Sequence, residues 1–328
     1  MKSLVSVACG LLLSSAAVST VLAADDVVFQ MSWIPSGDYA PLSAGIEKGF
    51  FTDVGINLTM SNGRGSGDAV TKIAAGVAPY GDGNISSVMS AKLSANAPTK
   101  CLMPLQTKSP HALFVLEGGP IKSFKDLPGK TLGTTPGNSH FGFFPAVAKL
   151  AGIDAASVNW VTMEPGSLAP TLIAGKIDGA TLFALNWYYQ NKAAEKQGKK
   201  IKIIPFTEAG FNIYAYCLIA NDQFVAKNPE LTRRFIAAYQ KSYAWSKDNI
   251  QEAAVLHKKR YPELELDDIE GTMKMMFPYI FNEVTDRDGF GKFNAAQLKA
   301  TYDAVAAAEK LKPDADVQQF VDTSLLPK

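Results

Sequence analysis

Short apolar strands alternating with glycine-closed helices constrain this chain more than any other feature. The first instance is complete within residues 27–49. Val27 to Trp33 reads as a strand, and a loop follows with Pro35, Gly37 and Pro41. Leu42 to Lys48 reads as a small-residue helix ended by Gly49. Such alternation predicts sheets flanked by helices, and ligands of such sheets sit where strand-to-helix loops meet. Trp33, Asp38 and Tyr39 on this loop offer a stacking face, a charge and a hydroxyl. From the residues alone, a buried Trp, a helix-capping Asp and a half-exposed Tyr is an equally complete description.

The pattern continues. Ile56 to Met60 alternates as a strand, and Asn62-Gly63-Arg64-Gly65-Ser66-Gly67-Asp68 is a glycine-rich loop entering a helix at about Ala69 to Ala75. Its glycines let backbone N–H groups approach a ligand, and the helix start favours an anion. It is not a dinucleotide fingerprint, since Asp68 stands in place of the third glycine. Tyr80-Gly81-Asp82-Gly83-Asn84 precedes a helix over about Ile85 to Ser94. Leu102 to Gln106 and Ala112 to Leu116 read as strands, and Gly118-Gly119-Pro120 breaks the pattern. A new unit then begins: strand Thr131 to Thr134, loop Pro136-Gly137-Asn138-Ser139-His140, helix Phe141 to Leu150 and strand Val158 to Met163. Glu164-Pro165-Gly166-Ser167 leads into helix Leu168 to Ala174. Strand Ile177 to Phe183 runs into Asn186-Trp187-Tyr188, and strands Ile201 to Pro205 and Tyr214 to Ala220 follow. Thr71 to Gly76 and Pro170 to Gly175 echo each other as helix ends, each followed by a Gly- and Asp-bearing run, which suggests two similar α/β lobes. Beyond Asp222 the chain turns helical, over about Leu231 to Ser246, Ile250 to Arg260, Leu266 to Phe277 and Ala295 to Glu309. Asp286-Arg287-Asp288-Gly289 lacks the ligands of a calcium loop and reads as a turn.

The 328 residues suffice for two ordinary domains, and a net charge of +1 provides no field to recruit nucleic acid or membrane. Lys2, the apolar stretch Leu4 to Val21 and Val21-Leu22-Ala23 read as a secretory signal cleaved after Ala23 or Ala24. Cys9 leaves with it. Cys101 and Cys217 remain, in an oxidising compartment, as either a disulfide or two small buried hydrophobes.

Catalytic signatures are missing from the sequence. The three histidines, His111, His140 and His257, have no metal spacing, and neither Ser66 nor Ser139 has the glycines of a nucleophile elbow. His140 beside Ser139 fits a helix start with a capping neighbour. An enzyme is disfavoured, and no cofactor or metal is expected.

Taken together, Trp33-Ile34-Pro35, Asp38-Tyr39-Ala40-Pro41-Leu42 and Gly45-Ile46-Glu47-Lys48-Gly49-Phe50-Phe51 resemble the start of periplasmic solute-binding proteins. The type is that of the nitrate/sulfonate/taurine and thiamine-pyrimidine group, the NMT1/THI5-like family. Ile121 to Gly133, Ala174 to Gly179 and Asn228 to Leu231 also match. The resemblance implies a two-lobed α/β periplasmic-binding-protein fold of type II, with mixed sheets and two hinge strands. It places lobe one at about 25–116 plus 212–328 and lobe two at about 117–211. It further implies a monomer that closes on a small ligand and delivers it to the membrane subunits of an ABC importer. This chain has Tyr39 where pyrimidine-binding relatives tend to carry His. The cysteine run of the family's cytosolic pyrimidine synthase is absent, and a secretion signal is present.

On this reading the ligand loops carry Trp33, Asp38, Tyr39, Arg64, Ser66, Gly67 and Asn84 on one jaw. The other jaw carries Asn138, Ser139, His140, Glu164, Asn186, Trp187 and Tyr188. Aromatic side chains outnumber cations, and Asp38 and Glu164 are placed to accept bonds from ring amino groups. That favours a pyrimidine-like or other aromatic heterocycle. The alternatives are a sulfonate, nitrate or small carboxylate held by Arg64 and the Gly65 to Gly67 N–H groups, or a secreted enzyme or pyrimidine-synthase-like protein.

Overall fold

The computed structural model describes residues 24–327. The expected signal segment lies outside them, except for Ala24. The first half of the chain runs β1 (Asp25–Gln30), α1 (Ala40–Glu47), β2 (Ile56–Ser61), α2 (Ser66–Ala74), β3 (Tyr80–Asn84), α3 (Ile85–Ala95), β4 (Thr99–Pro104) and β5 (His111–Leu116). Next come β6 (Thr131–Thr134), α4 (Ser139–Ala151), β7 (Asn159–Thr162), α5 (Leu168–Ile173), β8 (Gly179–Phe183), α6 (Trp187–Glu195), β9 (Ile201–Pro205) and β10 (Tyr216–Asn221). Six helices close the chain: α7 (Asp222–Lys227), α8 (Pro229–Asp248), α9 (Ile250–Arg260), α10 (Leu266–Ile280), α11 (Glu283–Asp288) and α12 (Ala295–Glu309).

These strands form two five-stranded mixed sheets, ordered β2-β1-β3-β10-β4 and β7-β6-β8-β5-β9. The echo in the sequence has a structural counterpart. α2 leads into β3 and α5 into β8, and each of these strands is third in its sheet. Each is the strand where parallel pairing gives way to antiparallel: β1 runs parallel to β3, and β10 antiparallel. In the second sheet β6 runs parallel to β8, and β5 antiparallel.

β3 is the element whose sequence is least like a strand. Tyr80-Gly81-Asp82-Gly83-Asn84 is buried throughout. A Cβ on Gly81 would stand 2.3 Å from the Gln30 carbonyl oxygen, and one on Gly83 would meet Ile219 at 3.0 Å. Gly81 is therefore required by the close approach of the β1 backbone, while Gly83 packs tightly against the Ile219 side chain of β10. Behind this sheet Tyr80 stacks on Phe235 of α8, with ring centroids 4.2 Å apart.

The chain passes from the first sheet to the second at 105–110 and returns at 206–215. The two crossings touch: the Leu105 N–H donates to the Tyr216 carbonyl at 2.8 Å and Ala215 N–H to the Gln106 carbonyl at 3.1 Å. β5 pairs with β8 and β9, so it belongs to the second sheet. The expected lobe boundary after Leu116 therefore falls one strand late. Gly118-Gly119-Pro120 breaks the chain inside the second unit rather than between units. Cys101 on β4 and Cys217 on β10 form a disulfide, with Cα atoms 5.6 Å apart on adjacent strands.

The C-terminal helices do not belong to one sheet alone. α10 packs against α6, and α12 against both α3 and α4. Asp286-Arg287-Asp288, read as a turn, is the last turn of α11, which Gly289 follows at φ +94°. No helix among the described residues is long and apolar enough to cross a membrane.

Candidate functional site

Between the sheets lies a cavity walled from both sides. Trp33, Gly65, Ser66 and Tyr216 line it from the first unit. Asn138, Ser139 and His140 line it at the start of α4, and Thr181, Leu182, Phe183 and Asn186 along the end of β8 and the turn beyond. The space open to the centre of a water molecule is about 20 Å³, room for a single water. The arrangement is closed, so a ring compound enters only when the units part and fits only when lining side chains move aside.

Two helices begin at this wall. Ser66 opens α2 and Ser139 opens α4. The first N–H groups of a helix have no partner within it, so both starts offer donors here. The units meet at the same place: Gly67 N–H donates to the Gly137 carbonyl at 2.9 Å. Thr135 Oγ1 donates to the Arg64 carbonyl at 2.9 Å.

Three aromatic side chains, Trp33, Phe183 and Tyr216, give the cavity apolar surface, and Phe183 and Tyr216 are edge to face at 4.9 Å. The polar lining consists of hydroxyls, carboxamides and one imidazole, with no carboxylate, lysine or arginine. Burial depresses the His140 pKa to about 3, although the Leu182 carbonyl opposes the shift, so the ring is neutral. Its Nε2 lies 3.0 Å from that carbonyl and its Nδ1 2.6 Å from Asn138 Oδ1. Asn138 also caps α4 by accepting the His140 N–H.

Most of the other expected residues stand behind or outside the wall. The Tyr39 hydroxyl is buried and accepts the Ser32 and Trp33 N–H groups, each at 3.1 Å. It lies 3.3 Å from Asp82 Oδ2. It thereby fixes the backbone that carries Trp33. Asp38 is buried and bonded to Ser36 Oγ, and burial raises its pKa to about 6. Arg64 and Glu164 face each other at 3.5 Å across the rim, both more than 60% exposed. Gly67 contributes to the contact between units rather than to the lining.

Asn84 caps α3, taking the Ser86 N–H at 3.2 Å on Oδ1, so its Nδ2 donates to His111 Nε2 at 2.8 Å. His111 then holds its proton on Nδ1, 2.8 Å from Ser109 Oγ. Trp187 turns away and donates through Nε1 to the Ile201 carbonyl at 2.7 Å. Tyr188 lies against Gly271, where a Cβ would meet the ring at 2.3 Å. Of the fourteen expected residues, Trp33, Ser66, Asn138, Ser139, His140 and Asn186 are brought together at the cavity.

Thr181, Leu182, Phe183 and Tyr216 complete the lining without having been anticipated, and Gly65, expected only in the anion reading, joins them. The position of Phe183 was readable, since it ends a strand. Tyr216 was not, because only the return crossing brings it here.

Two mixed sheets, two crossings and a cavity between them define the periplasmic-binding-protein fold, a class that closes on small ligands. Within that class the chain belongs to the NMT1/THI5 like family, whose model matches residues 36–253. It is similar to the riboflavin-binding protein RibY of Chloroflexus aurantiacus, 27% identical over 309 residues, covering 92% of this chain and 86% of that protein. It is also similar to a 4-amino-5-hydroxymethyl-2-methylpyrimidine phosphate synthase of Saccharomyces cerevisiae, 23% identical over 230 residues and 67% of each chain. Among solved structures it resembles the alkanesulfonate-binding protein SsuA from Xanthomonas axonopodis pv. citri, with a TM-score of 0.70 and 12% identity over 92% of this chain and 99% of that one.

Proposed function

We propose that this protein captures a neutral aromatic heterocycle in the periplasm and presents it to the membrane subunits of an ABC importer. The carrying observation is the composition of the cavity wall: Trp33, Phe183 and Tyr216 beside neutral amides and hydroxyls, with no charged side chain. Such a wall suits a flat ring with a few polar edge atoms. Two relatives support the ring part of the reading by their names, one riboflavin-binding and one a synthase of an aminopyrimidine phosphate. The carboxylates first expected to receive ring amino groups, Asp38 and Glu164, are replaced in that role by uncharged groups.

A second reading rests on one observation. The starts of α2 and α4 converge on the cavity, and helix starts favour anions. A sulfonate or nitrate would then be held by backbone N–H groups, with Arg64 at the rim adding charge.

Isothermal titration separates the two, using riboflavin, an aminopyrimidine, taurine and nitrate on the wild type and Arg64→Ala. We expect a ring compound to bind, with Arg64→Ala within about threefold, as an exposed pair contributes little. Tight taurine or nitrate binding that Arg64→Ala abolishes would overturn the heterocycle reading. Mass spectrometry of the released ligand should return it unchanged; conversion would move the protein to the synthases.

A further inference from the structure

Asn186 ends the short 3-10 turn Ala184–Asn186 and leads directly into α6 with helical backbone angles, φ −82° and ψ −5°. An N-cap that bonds the first turn has extended backbone instead, and the Asn186 side chain makes no such bond. The residue is 3% exposed, and its Oδ1 is buried with no hydrogen-bond partner among the described residues. Gln30, Thr99, Gln106, Ser246, His257 and Arg260 also hold an orphaned buried atom. Of these seven residues, Asn186 is the one that lines the cavity.

An unpaired buried carbonyl destabilises the fold. Retaining it at the cavity wall is explained if its partner arrives with the ligand. A carboxamide presents an acceptor and a donor on adjacent atoms, and this pair matches a ring edge with the complementary donor and acceptor. Asparagine reads the edge of adenine in this two-bond manner.

Resting on the heterocycle reading above, we propose that Asn186 is the specificity-determining residue of the site. Its carboxamide pairs with an N–H and a neighbouring acceptor on one edge of the ligand ring, as on the imide edge of a pyrimidinedione or the amidine edge of an aminopyrimidine. Trp33, Phe183 and Tyr216 then enclose the faces, and Asn186 distinguishes rings by that edge.

The test uses the full mature chain with riboflavin and its N3-methyl derivative, and 4-aminopyrimidine with its N,N-dimethyl derivative. For whichever parent binds, Asn186→Leu should weaken binding about tenfold or more, the loss that follows when a donor and acceptor pair is removed from a buried site. Methylating the edge should weaken binding to the wild type and leave binding to Asn186→Leu nearly unchanged. The ligand-free melting temperature of Asn186→Leu should equal or exceed that of the wild type, which a side chain needed to hold the fold would not allow. Asn186→Ala serves the same comparison if the leucine variant does not fold. If Asn186→Leu binds the parent as tightly as the wild type, or both suffer equally from methylation, Asn186 merely holds a water and the assignment is overturned. If no ring compound binds and taurine does, the heterocycle reading itself fails, and the assignment with it.

Discussion

At the scale of single residues, a buried carboxyl behind the site makes stability depend on pH. Asp82 on β3 is 3% exposed and accepts the Ser32 N–H at 2.8 Å. Burial raises its pKa to about 7, against the pull of that N–H and with Asp38 adding to the rise. A carboxyl with a raised pKa in the fold contributes stability that is fully present below its unfolded pKa of 3.8 and lost as pH rises through about 7. Asp82→Asn keeps the shape and the acceptor for Ser32 while removing the titration. Wild-type melting temperature should therefore fall between about pH 4 and about pH 7, a stability loss on the order of a few kcal/mol. The Asp82→Asn curve should be flatter, with any residual slope in the same direction from Asp38, whose pKa is raised to about 6. Parallel melting curves for the two proteins would show that Asp82 carries no such proton.

At the scale of elements, the closed arrangement depends on glycine at two helix starts. A Cβ on Gly67 of α2 would lie 3.0 Å from the Gly137 carbonyl oxygen, just before α4. Neither α2 nor its sheet needs that space to fold. The series Gly67→Ala and Gly67→Leu should therefore weaken ligand affinity in order of size, by roughly tenfold or more for the larger, as overpacking costs about 1–3 kcal/mol. The ligand-free melting temperature should remain near that of the wild type. Equal affinities across the series would show that the units do not meet through Gly67 when ligand is bound.

The same elements explain what could be read beforehand. β6, β9, α9 and α12 announced themselves through local pattern and caps, as did Ser66, Asn138 and Ser139 at helix starts. β3 did not, because its glycines answer to Gln30 and Ile219, neighbours distant in sequence. Trp187 and Tyr188 were misplaced for a related reason. They follow the strand end correctly, yet the phase of α6 sends one to Ile201 and the other to Gly271. Asp38 and Tyr39 sit on the right loop, but their partners Ser36 and Asp82 draw them inward.

At the scale of the whole molecule, two short crossings and several C-terminal helices link the sheets. The Cys101–Cys217 disulfide joins β4 and β10, the strands that flank both crossings on the first sheet. α10 and α12 reach the second unit from beyond the return crossing. Opening must therefore carry these helices along or slide them over α6 and α4. This places the moving surfaces on the flanks as well as at the cleft.

The uncharged cavity wall has a consequence for the medium in which capture occurs. With Arg64 and Glu164 neutralising each other at the rim and no fixed charge inside, ions in solution have little to screen. Affinity for a neutral ring should vary by less than about twofold between ~20 and ~500 mM sodium chloride, whereas an anion steered by Arg64 would bind more weakly as salt rises. A binder of this kind would gather its cargo equally well in fresh and in brackish surroundings.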